Sequence, residues 1–238
     1  MNLFRFVLVL LFVLPFTFLQ AQTADEIVNK HIDAIGGKEV INKIKSQVLY
    51  SDISVMGSTL TSISTMLVGK GFKNVANFNG QEIIQCITPN SGWMINPLAG
   101  QTDAQALPDD QVKAAQSALD VGSDLFNYKA KGSKIELVGR ETVEGVNTYK
   151  LKFENKDGKI TSYFIDPSTH FIIKQESTNN VNGENVTAIS TFSNYKKTDI
   201  GLVIPHTTIT NQGFEMTITL NKVEFNKEID PKIFEMPK

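Results

Sequence analysis

The sequence predicts a mainly β protein of the α+β class. One curled antiparallel sheet, a half-barrel of about 11–12 strands, is covered by short helices. Three observations predict this. Beyond residue 46 the apolar residues recur mostly at every second position rather than every 3.6. The gaps between apolar runs are short and rich in glycine and asparagine. Two strands show one apolar and one polar face. Tyr149, Leu151 and Phe153 alternate with Thr148, Lys150, Lys152 and Glu154, and Phe214, Met216, Ile218 and Leu220 alternate with Glu215, Thr217, Thr219 and Asn221. Open twisted sheets rarely exceed about ten strands without curling or splitting, so the sheet should curl around its helices.

The elements follow in order. Residues 1–21 carry one charge, Arg5, then an apolar run closing on Leu19, Gln20 and Ala21. This pattern reads as a secretory signal cleaved near Ala21. Residues 22–238 then form a single domain, soluble once the signal is removed. Thr23 and Glu26 make a capping box, followed by a helix with Ile27, Val28, Ile32 and Ile35 on one face. Gly36-Gly37 stops it, and a second turn of helix runs from Lys38 to Lys45.

Candidate strands then run Gln47–Met56, Thr59–Val68, Phe72–Phe78, Gln81–Thr88 and Gly92–Asn96. Asn79-Gly80 between them is a hairpin signal. Residues 100–107 are polar and loop-like. Pro108, Asp109 and Asp110 open a helix with Val112, Ala115, Ala118 and Leu119 as its apolar stripe. Gly122 breaks it, and Ser123 should cap a second short helix through Leu125 and Phe126. Strands resume at Lys134–Glu141, Asn147–Glu154, Lys159–Ile165, Phe171–Thr178, Val186–Lys196, Leu202–Thr210 and Phe214–Phe225. Asn182-Gly183 and the run from Asp166 to Thr169 are turns. In the last strand Val223 and Phe225 fall on the wrong parity, which a bulge near Asn221-Lys222 would repair.

Composition excludes several classes. The chain has 23 Lys+Arg against 25 Asp+Glu, a net charge of -2. That balance lacks the basic excess of a nucleic-acid binder. One cysteine, Cys86, permits no internal disulfide and no cysteine-cluster zinc site. It sits in an apolar strand and reads as a buried, inert thiol. His31, His170 and His206 are widely spaced, with no HExxH. Gly69-Lys70-Gly71 lacks a phosphate-loop frame, and no GxSxG surrounds a serine. The acids Asp109, Asp110, Asp120 and Asp124 read as a solvated helix face. No catalytic residue, metal ligand or cofactor is assigned, and the protein reads as a non-enzyme.

Several stretches together resemble the Lol-type outer-membrane lipoprotein-sorting superfamily of lipoprotein carriers. They are AIGG at 34–37, ELVGRETVEG at 136–145 leading into YKL at 149–151, YFIDPST at 163–169, FSNY at 192–195 with GLVIP at 201–205, and IDPKIFEMP at 229–237. The resemblance implies a half-barrel of antiparallel strands, covered by helices and enclosing an apolar cavity. It implies a periplasmic location and a cargo of lipoprotein acyl chains or free lipid. An alternative on the same fold is an envelope sensor or interaction module with a protein partner. One feature departs from the pattern. Well-studied carriers hold their helical lid with an arginine in an early strand. After Arg5 this chain has one arginine, Arg140, and lysine does not supply a planar fork. The residues expected to line the cavity are Trp93, Tyr149, Leu151, Phe153, Phe214, Met216, Ile218 and Leu220 from the sheet. Val112, Ala115 and Leu119 are expected from the covering helix.

Overall fold

The computed structural model describes residues 22–181 and 184–237. The predicted signal and the turn at Asn182-Gly183 lie outside the described residues. Among these residues thirteen strands form one antiparallel sheet. The first group is β1 (Ser46–Val55), β2 (Ser58–Leu67), β3 (Gly71–Phe78), β4 (Gln81–Ile87), β5 (Gly92–Asn96) and β6 (Gln101–Ala106). The second is β7 (Lys134–Val143), β8 (Val146–Glu154), β9 (Ile160–Ile165), β10 (Ile172–Val181), β11 (Glu184–Lys197), β12 (Val203–Asn211) and β13 (Glu215–Phe225).

The order across the sheet is β6-β5-β4-β3-β2-β1-β13-β12-β11-β10-β9-β8-β7. Each group is a meander, and the two are sewn together where β1 pairs with β13. Strands β6 and β7 are the two free edges, so the curled sheet does not close. The chain must therefore cross from one edge to the other between residues 107 and 133. That crossing segment lies over one face, here called the inner face. It holds α3 (Asp109–Ala114) and a 3-10 turn at Gln116–Leu119.

The inner face is also covered by α1 (Ala24–Ala34) and α2 (Gly37–Asn42). The capping box forms as the sequence predicts: Thr23 Oγ1 accepts from the Glu26 amide, and Glu26 accepts from the Thr23 amide. Ile27, Val28, His31 and Ile32 of α1 are buried. Of these, Ile27, Val28 and Ile32 join Val121, Leu125, Phe126 and Tyr128 of the crossing segment and Leu151, Phe153, Tyr163 and Ile165 of the sheet in one core. Asp25 ties α1 to the crossing segment. It accepts from the Tyr128 hydroxyl and pairs with Lys129 at 2.6 Å.

Three local expectations change. Residues 101–106 are an edge strand rather than a loop. An edge strand needs only backbone pairing along one side, so its polar side chains give no alternation. Residues 123–126 form turns, not a helix. Gly122, Ser123 and Asn127 all have positive φ (86°, 71° and 53°), which a right-handed helix does not admit. The second helix stops at Asn42, short of Lys45. The Asn221 bulge is present: Tyr50 pairs with Lys222 and Ser51 with Leu220, leaving Asn221 as the extra residue.

A second, smaller cluster forms on the outer face. Trp93 and Cys86 pair across β4 and β5 and pack under Phe234 of the C-terminal 3-10 turn Pro231–Phe234. The Trp93 indole donates to the Phe234 carbonyl at 3.0 Å. Burial pushes the Cys86 thiol up to about 11, so it is neutral, as an inert buried thiol should be. Gly71 lets this cap seat, because a Cβ there would stand 2.4 Å from the Phe234 ring. Gly71→Ala should lift the cap. The single tryptophan then reports it, with Trp93 emission moving to the red while the main core still melts cooperatively. Unchanged emission would mean the ring slides aside without undocking.

Candidate functional site

The inner face can be traced residue by residue, because side chains alternate and paired residues share a face. Gln47 lines the main cavity, so Leu49, Ser51, Ile53 and Val55 of β1 share its face. Their partners on β13 are Phe225, Val223, Leu220, Ile218 and Met216. The bulge at Asn221 makes this continuous. Without the extra residue Leu220, Ile218 and Met216 would turn to the outer face. The outer side of the same strands carries Asp52, Ser54, Thr217 and Thr219.

The main cavity has a volume of about 410 Å³. It lies between the end of α1, the crossing segment and the inner side of β9–β12. Its apolar wall is Ile35, Val121, Ile172, Phe192, Leu202 and Ile204. Its polar groups include His31, Tyr163, Gln175 and Tyr195. Tyr195 stacks on Phe171 with ring centroids 4.3 Å apart and donates to the Ile172 carbonyl at 2.6 Å. The Tyr163 hydroxyl donates to Asp124 at 3.1 Å. Burial and the neighbouring Asp124 charge raise Tyr163 well above an ordinary phenol, so it stays a neutral donor.

His31 is 2% exposed. Its Nδ1 lies 2.9 Å from the His170 carbonyl oxygen. A carbonyl can only accept, so Nδ1 carries the hydrogen and Nε2 is a bare acceptor. Nε2 has no partner among the described residues. Burial lowers the imidazole to about 4, against the His170 carbonyl, which acts to raise it. The consequence for stability has a definite sign. The unfolded chain binds this proton near pH 6.5 and the folded one only near 4. The neutral core histidine therefore supports the fold fully above pH 6.5, and that support is lost as pH falls toward 4. The loss amounts to about 3 kcal/mol. His31→Gln keeps a donor for the His170 carbonyl and removes the titration. Urea midpoints at pH 7 and pH 4.5 should differ less in the variant than in the parent. Equal differences would assign the acid sensitivity to other groups.

No protein-family model and no curated protein matches the sequence. Solved structures do match the fold. A LolA superfamily protein from Nitrosomonas europaea is 14% identical, with 90% of this chain and 98% of that chain covered at a TM-score of 0.60. An outer membrane lipoprotein-sorting protein domain from Vibrio parahaemolyticus is 14% identical, with 89% and 97% covered at 0.58. A DUF1329 family protein from Desulfovibrio piger is 13% identical, with 90% and 98% covered at 0.58. This chain has the LolA-superfamily fold.

Within the LolA-superfamily fold the eleven residues expected from sequence fall into distinct places. Leu151 and Phe153 are buried in the main core, and Phe153 also walls a second cleft described below. Tyr149 is half-buried beside that core, with the Arg140 guanidinium 4.3 Å above its ring. Met216, Ile218 and Leu220 are half-buried on the inner face, along the β1–β13 seam. Phe214 stands just before β13 and is exposed. Val112 and Leu119 are buried and Ala115 half-buried in the crossing segment. Trp93 is on the outer face: Met66, Phe72 and Ile87 share the inner one, and Cys86 and its partner Trp93 point the opposite way. None of the eleven lines the 410 Å³ cavity.

The residues that do line it were partly legible. Tyr163, Phe192 and Ile204 belong to the stretches that carry the family resemblance. The contribution of His31 was hidden, because it depends on where α1 meets the β9–β10 turn. Among the described residues no helix is long and apolar enough to cross a membrane.

Proposed function

We propose that this chain is an exported, periplasmic binding protein that holds an acyl chain, of a lipoprotein or of a free lipid, and carries it between membranes without chemistry. One observation carries the reading: a cavity of about 410 Å³ with a largely apolar wall lies between the inner face and its covering segments. Its size falls in the usual range for small-molecule sites, roughly 300–1,000 Å³. Each methylene moved from water into such a wall gains about 0.8 kcal/mol. Six to eight methylenes, about 5–6 kcal/mol, therefore correspond to roughly 20–300 μM affinity before ordering costs. The apolar strip of Met216, Ile218 and Leu220 offers a longer chain a bed beyond the cavity. The fold shared with the lipoprotein-sorting domain supports the reading by analogy.

The test is titration of the full mature chain with a fluorescent fatty acid, with native mass spectrometry of protein from an envelope fraction. Saturable binding and co-purifying lipid are expected. Repeated lipid-free preparations that also leave the probe unbound would sink the proposal. Ile218 is only half-buried, so Ile218→Asp is expected to fold, and it should weaken a long-chain probe at least tenfold by placing a charge on the apolar strip. Undiminished affinity would take the strip out of the binding path.

A further inference from the structure

Next to the apolar cavity lies a second cleft of about 330 Å³. The two share Ser117, Asp120, Asp124 and Gln175 as a common wall. They are therefore neighbours along one path rather than separate sites. Their linings differ in kind. The second cleft is lined by Lys113, Lys131, Lys156 and Lys159.

These lysines come from three separate elements. Lys113 is on α3, Lys131 is in the crossing segment, and Lys156 and Lys159 flank the turn between β8 and β9. That turn is fixed, because the Asn155 side chain accepts from the amides of Asp157 and Lys159 at 3.0 and 2.8 Å. The cleft also holds Asp120, Asp124 and Asp157. Asp120 pairs with Lys131 at 2.9 Å, and Asp124 accepts from the neutral Tyr163 hydroxyl and keeps its charge. Lys113, Lys156 and Lys159 make no ion pair among the described residues. The four lysines of the cleft exceed its three aspartates by one, so a chain of net charge -2 carries a local positive excess beside its apolar cavity.

We infer that the cleft receives the anionic head, a phosphate or carboxylate, of an amphiphile whose acyl chain occupies the adjoining cavity. The inference rests on the acyl-binding reading and narrows its ligand class to anionic lipids. Ammonium groups on flexible stems suit a compact anion approached from several sides. Lys113 and Lys156 are exposed and Lys131 and Lys159 half-buried, which makes the attraction modest and sensitive to salt.

The test compares dodecyl phosphate with dodecanol, each displacing a fluorescent fatty acid from the full mature chain. Dodecyl phosphate should bind about tenfold more tightly at low salt, and the advantage should shrink at 0.5 M salt, where the screening length has shortened to about 4 Å. The triple variant Lys113→Gln, Lys156→Gln, Lys159→Gln should remove that advantage and leave dodecanol unchanged, with Trp93 emission checking the fold. Inorganic phosphate alone should not compete at millimolar concentration. Equal binding of the two amphiphiles, or an advantage that survives in the triple variant, would overturn the headgroup site while leaving acyl binding intact. Inorganic phosphate binding as tightly as dodecyl phosphate would overturn the lipid source of the anion. Binding of neither amphiphile would bring down the acyl reading and this inference with it.

Discussion

Leu151→Ala is expected to cost about 3–4 kcal/mol of stability. Leu151 is fully buried in the middle of β8. It pairs with Leu137 on β7 and with Tyr163 on β9, so three strands meet around its side chain. Truncation leaves a hole that these strands cannot readily close, because β8 and β9 are held by ladders on both sides. For a domain of this size, the melting temperature should fall by roughly 10 °C. Leu151→Asp should not fold at all, since no partner is available for a buried carboxylate. The contrast with Ile218→Asp is the informative part. Both are apolar residues of alternating strands, but one belongs to the closed core and the other to the open strip. Loss of lipid binding in a folded Ile218→Asp, beside failure to fold in Leu151→Asp, separates the binding surface from the core. If Leu151→Ala melts within about 2 °C of the parent, the packing between β7, β8 and β9 is loose enough to close over the lost side chain.

Gly36→Ala should cost about 3 kcal/mol or more, from two independent sources. Gly36 has φ 125°, a region that L residues with a side chain hardly enter. A Cβ there would also stand 2.8 Å from the Gly201 carbonyl oxygen and 3.2 Å from the Leu202 Cα. Both obstacles are backbone, so no side chain can swing away. The neighbouring Ile35 carbonyl accepts from the Val203 amide at 2.9 Å, which pins the helical cover to β12 at this point. The variant should therefore lose stability and also loosen α1 and α2. Faster hydrogen exchange in residues 24–42 than in β7–β9 is the expected signature. Uniform acceleration across the chain would mean that the cover and the sheet open as one unit.

The sheet was legible because its strands obey a period of two and its turns use glycine and asparagine. The slip at Asn221 was legible for the same reason: Val223 and Phe225 broke a pattern that Met216, Ile218 and Leu220 had set. The edge strand β6 was not, since QTDAQA has neither alternation nor apolar content. The cavity was the least legible part. Alternation tells which residues share a face of one strand, and it correctly separated Leu151 from Lys150. It does not tell how far α1 and the crossing segment reach along that face. Trp93 illustrates the limit. Nothing within GWMIN says which face is inner, and the choice is made by a long chain of pairings back to Met66.

The pairing of β1 with β13 has a consequence for how the chain is born. These strands lie at opposite ends of the described chain, yet they sit side by side at the centre of the sheet. Their ladder can form only after nearly every other residue has been made. Until then β1 presents an unpaired edge, with Leu49, Ile53 and Val55 on one side of it. Closing so large a loop is slow compared with forming either meander. During that interval the half-made sheet is a template for association with any other extended chain. The order of synthesis thus hands this protein a waiting period with its central seam open, and makes a holding factor along its route more valuable to it than to a helical protein of equal length.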